Sequence, residues 1–259
     1  MVHLDLELQA EGLVGETDRL ADVVRDVDLS VPVPTCPGWS LSDLIVHVGR
    51  GHRWAAAMIA DRASERLAWD AVPEGFLPTD VDEANVWLRD SARLVLEAVE
   101  KTGGEVRVWT PVGGLLPARW WIRRRLHEAT VHGADAALAL GRAVSLSSGL
   151  AADGLSESLD ILQAALAFQN REQPPLPEGA TLRIDADDDG AQQCWVVRPR
   201  GNNIEWSVGG EPAAATVTVR GTSASVFLAM MRRIPATDPR FEITGDREIF
   251  DRWLAATGF

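Results

Sequence analysis

The sequence predicts an α+β protein of two domains, an N-terminal helical bundle and a smaller C-terminal α+β domain with a mainly antiparallel sheet. Apolar residues recur with helical spacing through the first two thirds of the chain, and they alternate with polar residues after about residue 180. A polar, proline-rich segment at 170–179 separates the two patterns. We therefore predict domains at 1–170 and 176–259.

The N-terminal pattern predicts five helices. The Ser40-Leu-Ser-Asp43 capping box begins the second helix, and Gly103-Gly104 ends the third. Residues 105–114 are expected to form a loop with a short extended run, and Pro117 suits the first turn of the fourth helix. The predicted helices are about 5–28, 40–65, 80–101, 117–141 and 150–169.

The C-terminal pattern predicts short strands joined by turns. Alternating apolar and polar residues, rich in valine and isoleucine, are typical of strands that are buried on one face. Two helical patterns and a last strand follow. The predicted strands are about 181–186, 194–198, 203–208, 215–220 and 241–244, and the predicted helices are about 222–233 and 246–257.

Charge and composition exclude several kinds of function. The 259-residue chain has a net charge of −13, whereas non-specific binding to nucleic acid requires a basic surface. No apolar run has the length of a membrane-spanning helix, and the N-terminus lacks a signal-peptide pattern, so we expect a cytoplasmic protein without a membrane partner. The only cysteines, Cys36 and Cys194, lie far apart, which argues against disulfides and a cysteine-rich zinc site.

The segment 125–135, Arg-Leu-His-Glu-Ala-Thr-Val-His-Gly-Ala-Asp, contains a candidate pair of metal ligands. Glu128 and His132 are four residues apart and lie on one face if the segment is helical. Carboxylate oxygen and imidazole nitrogen are ordinary zinc ligands. His127 is five residues from His132, whereas the H-E-x-x-H motif of metalloproteases requires a spacing of four. The alternative is a solvated face or a simple polar pair.

A third metal ligand must come from another helix. The second predicted helix offers His47 and His52, and His47 follows the apolar residues Leu44, Ile45 and Val46. A polar side chain that lies against an apolar core requires a partner. This strengthens the case for a metal site, while the solvated face and the simple polar pair stay open.

Two motifs resemble signatures of the mycothiol-dependent maleylpyruvate isomerase family. The first is Thr35-Cys-Pro-Gly-Trp-Ser-Leu-Ser-Asp-Leu-Ile-Val-His47, and the second is Arg125-x-x-Glu128-x-x-x-His132-x-x-Asp135. The strand-rich tail after residue 175 resembles the small C-terminal domain of that family, which is similar to sterol-carrier folds. The resemblance implies a DinB-like four-helix bundle at the N-terminus.

The resemblance also implies a site and a reaction. It implies that His47, Glu128 and His132 hold a divalent metal, usually zinc, which activates the thiol of mycothiol. In maleylpyruvate isomerases this thiol adds to the cis double bond of the substrate, the adduct rotates, and the thiol leaves. Other members resemble mycothiol S-transferases, so the implied partners are a small thiol and an electrophilic substrate.

An arginine of the C-terminal domain is also implied to assist at the active site. We choose Arg220, which ends a predicted strand, although Arg232 and Arg233 compete for the role. Cys36 is expected to be structural because no basic partner is evident in the sequence. Asp135 either orients a ligand such as His132 or faces solvent.

Two other classes of function remain open. One is a hydrolase that uses zinc-bound water without a thiol. The other is a non-catalytic stress protein that binds a metal or a small molecule. Affinity for mycothiol separates the first class from a thiol-dependent enzyme, and the absence of turnover with an intact metal site identifies the second.

Overall fold

The computed structural model describes residues 3–168, 174–188, 190–209 and 215–257. These residues form seven α-helices and seven strands, which confirms the predicted α+β class. The chain divides into two compact units, Leu4–Ser145 and Met1–His3 with Leu146–Phe259. Within the described ranges, no helix is both long and apolar enough to span a membrane.

Four long helices pack together in the N-terminal unit. Helix α1 packs against α4, and α2 packs against α3. Their shared core includes the fully buried side chains of Leu20, Leu44 and Leu88, as expected for helices that each carry one apolar face. The helices are α1 (Leu6–Val23), α2 (Leu41–Ala60), α3 (Val81–Thr102) and α4 (Trp120–Ala139).

The ends of α2 determine where its functional side chains lie. The capping box that the sequence predicts is present: Ser40 accepts a hydrogen bond from the Asp43 backbone, and the Asp43 side chain accepts one from the Ser40 backbone. The helix ends at Ala60, earlier than the predicted Glu65. Arg62 takes a left-handed conformation with φ of 50°, which cannot continue a right-handed helix.

A short hairpin precedes α4. Strands β1 (Arg107–Trp109) and β2 (Leu115–Pro117) pair antiparallel, with Arg107 opposite Pro117. The prediction that α4 begins at Pro117 was therefore wrong. Pro117 lies in the hairpin, where the loss of its N–H is tolerated at an edge, and α4 begins three residues later.

A five-stranded sheet organises the C-terminal unit. Its strand order is β5-β4-β3-β6-β7, and every neighbouring pair is antiparallel except β3 and β6. The sheet is therefore mainly antiparallel, as predicted. The strands are β3 (Leu182–Asp188), β4 (Ala191–Arg200), β5 (Asn203–Val208), β6 (Val217–Gly221) and β7 (Phe241–Gly245), and the helices are α5 (Ser148–Phe168), α6 (Ser223–Met230) and α7 (Arg247–Ala256).

Helix α5 lies in the C-terminal unit, not in the first domain as its position before the proline-rich segment predicts. It packs against α6 and β5. The buried indole Nε1 of Trp195 donates a hydrogen bond to Ser156 Oγ over 2.9 Å, and Gln163 Nε2 donates one to the Ile204 carbonyl over 2.9 Å. The proline-rich segment 170–179, of which 170–173 lie outside the described residues, therefore falls within this unit rather than at its boundary.

Candidate metal centre

Helices α2 and α4 bring three candidate ligands together. His47 Nε2 lies 2.9 Å from Glu128 Oε2, and His132 Nε2 lies 3.7 Å from the same oxygen. The candidate ligand atoms of the three residues all lie within 4.8 Å of one another. His47 and Glu128 come from different helices, and the i,i+4 spacing on α4 brings His132 alongside Glu128.

The chemistry and spacing of this cluster fit zinc. Two imidazole nitrogens and one carboxylate oxygen form a usual catalytic set, which leaves a fourth position for another ligand. A tetrahedral zinc ion with bonds of about 2.1 Å separates its ligand atoms by roughly 3.4 Å. The two separations from Glu128 Oε2, 2.9 and 3.7 Å, lie on either side of that value.

Two arginines on α4 keep Glu128 ionised. Arg124 donates a hydrogen bond to Glu128 Oε1, and Arg125 Nη1 lies 3.6 Å from Oε2. Burial alone would raise the pKa of Glu128, but Arg124, the hydrogen bond from His47, and Arg125 together hold this pKa well below its usual value. Because Arg124 occupies Oε1, the Oε2 atom is the one that faces the histidines.

Asp135 fixes the orientation of His132. The carboxylate of Asp135 is fully buried, and its Oδ2 lies 2.9 Å from His132 Nδ1. Since an ionised carboxylate only accepts hydrogen bonds, Nδ1 is the donor of His132 in this contact, and Nε2 is the nitrogen that faces Glu128. This resolves the alternatives for Asp135, which does not face solvent.

Asp135 has two further donors. Thr35 Oγ1 donates to Oδ1 over 2.6 Å, and Cys36 Sγ donates to Oδ2 over 3.4 Å. Cys36, His132 and Asp135 also lie close enough to form a second metal-binding group. Cys36 therefore gives the buried carboxylate a hydrogen bond, and its expected structural role stays a prediction.

His52 does not belong to the metal cluster. It is fully buried, its Nε2 lies 3.1 Å from Thr17 Oγ1, and its Nδ1 accepts a hydrogen bond from Arg125 Nε over 2.9 Å. Burial and the cation of Arg125 hold the pKa of His52 well below its usual value. Of the two histidines on α2, it is therefore His47 that lies at the cluster.

Trp39 lies against both histidines of the cluster. Its ring centroid is 4.9 Å from that of His47 and 5.9 Å from that of His132. Burial is the main reason that the pKa of His47 lies below its usual value, which favours the neutral imidazole that binds metal. Spacing along the chain does not show which ring a side chain covers, so the contacts of Trp39 are seen only in the structure.

The arginines predicted for the second domain lie in the C-terminal unit. Arg220, on β6, is largely exposed, and its Nη2 donates to Asp185 Oδ2 over 3.1 Å. Arg232 is exposed and takes a left-handed conformation with φ of 59°. Arg233 Nη1 donates to the Met231 carbonyl over 2.7 Å.

Comparisons with known proteins match nearly the whole chain. Residues 11–137 match the mycothiol maleylpyruvate isomerase N-terminal domain, and residues 149–252 match the MDMPI C-terminal domain. No curated protein sequence matches the chain. The second matched range begins at the second residue of α5 and covers the rest of that helix, in agreement with the division seen in the structure.

Two solved structures share the fold. One is a crystal structure of the mycothiol-dependent maleylpyruvate isomerase, which is 17% identical, with a TM-score of 0.61 over 93% of each chain. The other is a histidine-to-alanine mutant of a mycothiol-dependent maleylpyruvate isomerase, which is 18% identical, with a TM-score of 0.58 over 88% of this chain and 90% of that one. Together with the two domain matches, these similarities show that the chain belongs to the mycothiol-dependent maleylpyruvate isomerase family.

Proposed function

We propose that this protein is a metal- and mycothiol-dependent enzyme of the maleylpyruvate isomerase type, which catalyses either isomerisation or thiol S-transfer on a small electrophile. The observation that carries the proposal is the convergence of His47, Glu128 and His132 in a chain of this family. These three residues would hold the metal, with zinc the favoured ion. Bound zinc would lower the pKa of a coordinated thiol so that its sulfur reacts as thiolate.

The surrounding residues support this role. Asp135 holds the proton of His132 on Nδ1, so that Nε2 is available as a ligand. Arg124 and Arg125 hold Glu128 in its ionised form. Neither cysteine supplies the sulfur in this proposal: Cys36 donates to Asp135, and burial raises the pKa of the Cys194 thiol to about 11. The reacting sulfur therefore comes from an external thiol.

Arg220 is proposed as the arginine of the C-terminal unit that holds substrate carboxylates. The Arg220 side chain is 65% exposed, and among the described residues only one carboxylate, that of Asp185, pairs with it. An Arg220→Gln variant is expected to raise the KM for a carboxylate-bearing substrate. Arg232→Gln is the matched control, and an equal or larger effect of that change would assign the role to Arg232 instead.

The metal is tested first. Protein purified without chelator is expected to contain about one zinc per chain, and His47→Ala is expected to lower zinc affinity at least about 100-fold, because one of three protein ligands is lost. His3→Ala, which changes an exposed histidine outside the cluster, serves as the control. Equal zinc affinity in the wild type and the His47 variant would contradict the proposed site.

The thiol is tested next. Mycothiol is expected to bind zinc-loaded protein and to bind metal-free protein much more weakly, as measured by calorimetry. A screen of electrophiles that includes maleylpyruvate then distinguishes isomerisation, which regenerates the thiol, from S-transfer, which consumes it. Turnover of an ester or amide without thiol would favour the hydrolase, and an intact zinc site without any turnover would favour a binding protein.

A further inference from the structure

We propose that Arg50 forms a carboxylate-binding subsite beside the metal cluster, with its guanidinium in contact with the rings of Trp69 and Phe76. The inference deepens the proposed function and rests on it, because it assigns a residue of the N-terminal unit, on the same helix as His47, to bind a substrate carboxylate. The structure supports it by the way in which Arg50 is held, by its available nitrogens and by its place on α2.

Arg50 is held in one orientation by the segment that follows α2. Its Cζ lies 5.7 Å from the centroid of Trp69 and 5.2 Å from that of Phe76, and its Nε donates to the carbonyl of Gly75. Cations are attracted to the faces of aromatic rings, and Arg stacks on them through its plane. A guanidinium fixed at Nε and by two rings keeps its orientation before a ligand arrives.

The segment itself is attached to the helices. Arg53 Nη1 donates to Glu74 Oε2 over 2.7 Å, and Trp87 Nε1 donates to the Glu74 carbonyl over 2.8 Å. These two bonds hold Glu74, the residue before Gly75, and Phe76 follows Gly75 with 74% of it exposed. The ring of Phe76 contacts the cation of Arg50 and is not part of the apolar core.

The terminal nitrogens of Arg50 are available to a ligand. Within the described part of the chain, its hydrogen bond to Gly75 is the only one, and no carboxylate pairs with it. This is unusual in a chain that has 38 acidic residues and only 25 lysines and arginines. The Nη1 and Nη2 edge of a guanidinium matches the two oxygens of a carboxylate, which it binds with parallel hydrogen bonds.

The position of Arg50 on α2 puts its side chain on the helix face that carries His47. Arg50 and His47 are three residues apart on α2 and therefore share one face. Trp69 contacts both of them, at 6.5 Å from the ring of His47 and 5.7 Å from the guanidinium of Arg50. In a protein of net charge −13 an anionic substrate is repelled at long range, so a local cation is needed to hold it.

The test compares two arginines that each lie over a tryptophan. Arg66 lies 5.9 Å from the ring of Trp54, and no histidine of the cluster contacts that ring, so Arg66→Gln is a matched control for Arg50→Gln. The probes are succinate, which is unreactive, and succinamide, which has the same shape without charge. Both are titrated into zinc-loaded full-length protein by calorimetry. Mycothiol, which carries no carboxylate, is titrated in parallel.

Arg50→Gln is expected to weaken succinate binding about ten- to hundredfold, the range for a lost charge-assisted hydrogen bond. Arg66→Gln is expected to leave succinate affinity unchanged. The affinity for succinamide is expected to be the same in the wild type and in the Arg50 variant. Mycothiol and zinc affinities are expected to be the same in the wild type and the Arg50 variant.

Three results would overturn the subsite. They are equal succinate affinity in the wild type and Arg50→Gln, equal losses in Arg50→Gln and Arg66→Gln, and a parallel loss of mycothiol and zinc affinity in Arg50→Gln. Failure of the proposed function is seen separately. If the wild type binds neither zinc nor mycothiol while succinate binding still depends on Arg50, the subsite stands and the thiol chemistry does not.

Discussion

Arg125 on α4 donates a hydrogen bond from Nε to Nδ1 of His52 on α2, over 2.9 Å and inside the core. Because a guanidinium always donates, His52 must accept at Nδ1 and carry its proton on Nε2, toward Thr17. The Thr17 hydroxyl in turn donates to the carbonyl of Leu13 over 2.8 Å. This chain of hydrogen bonds links α1, α2 and α4 and holds Arg125 beside Glu128.

Arg125→Met is expected to lower the free energy of unfolding by about 2–4 kcal/mol. The substitution leaves the buried His52 Nδ1 without its donor, and it also removes the second hydrogen bond that the Val48 carbonyl accepts, from Arg125 Nη2. Urea denaturation of the metal-free protein measures the change. Arg93→Met, at a partly exposed pair with Asp18, is the control, and its effect is expected to stay below about 0.5 kcal/mol.

Gly51→Ala is expected to be destabilising although alanine favours helices. A Cβ at this position would lie 2.5 Å from Arg125 Nη2, so the guanidinium would have to move away from α2 and from its partners. Gly15→Ala on α1 is the matched control, because nothing lies within 4 Å of its added Cβ. The control is expected to gain about 0.5–1 kcal/mol. A gain of that size in the Gly51 variant as well would show that Arg125 is not fixed in this place.

The buried His52 is expected to make stability depend on pH. Burial is the main cause of its low pKa; Arg125 and His47 also lower it, and Glu128 opposes them. The unfolded chain therefore takes up a proton below about pH 6.5, where the folded chain does not. This contribution to stability is complete above that pH and is lost on acidification, by up to about 1.4 kcal/mol per pH unit.

His52→Gln tests this pH dependence, since glutamine does not titrate and retains an oxygen that accepts from Arg125. Unfolding by urea is measured at several pH values below 6.5 in the presence of chelator, so that metal release does not contribute. The wild type is expected to lose stability more steeply than the variant on acidification. Equal slopes would mean that His52 is not held neutral.

Asp135→Asn is expected to lower zinc affinity about 10- to 100-fold, the usual effect of removing a partner that orients a ligand histidine. Asparagine keeps the shape of the side chain but removes the charge that holds the proton on His132 Nδ1. Competition with a chelator of known affinity measures the change. Asp90→Asn, whose side chain is largely exposed beside Arg93, should bind zinc as the wild type does. If the Asp135 variant binds zinc as tightly as the Asp90 variant does, Asp135 does not contribute to the metal site.

Much of the fold follows from local patterns. The period of the apolar residues and the capping box at Ser40 predict the helices and the start of α2. The pairing of Glu128 with His132 also follows from spacing along one helix. The choice between His47 and His52 does not, because both lie in an apolar stretch and their helix faces differ by about 140°. Only the packing of α2 against α4 decides which histidine meets Glu128.

The same limit explains the other differences. Helix α5 has a helical period whichever unit covers its apolar face, so the sequence shows the helix but not its partners. The proline-rich segment marks an interruption between α5 and β3, and prolines occur in such a connection as readily as between domains. The role proposed for Arg50 depends on Trp69 and Phe76, which lie 19 and 26 residues along the chain, beyond the reach of any local pattern.

The place of α5 determines how this protein can be dissected. A fragment that begins at residue 176 would lack the helix against which β5 and α6 pack, and the buried indole of Trp195 would lose its acceptor on Ser156. A fragment that begins at Leu146 retains both. A recombination event or a protein fusion that exchanges the C-terminal unit must therefore include α5. The exchanged piece then contains the proline-rich segment in its interior.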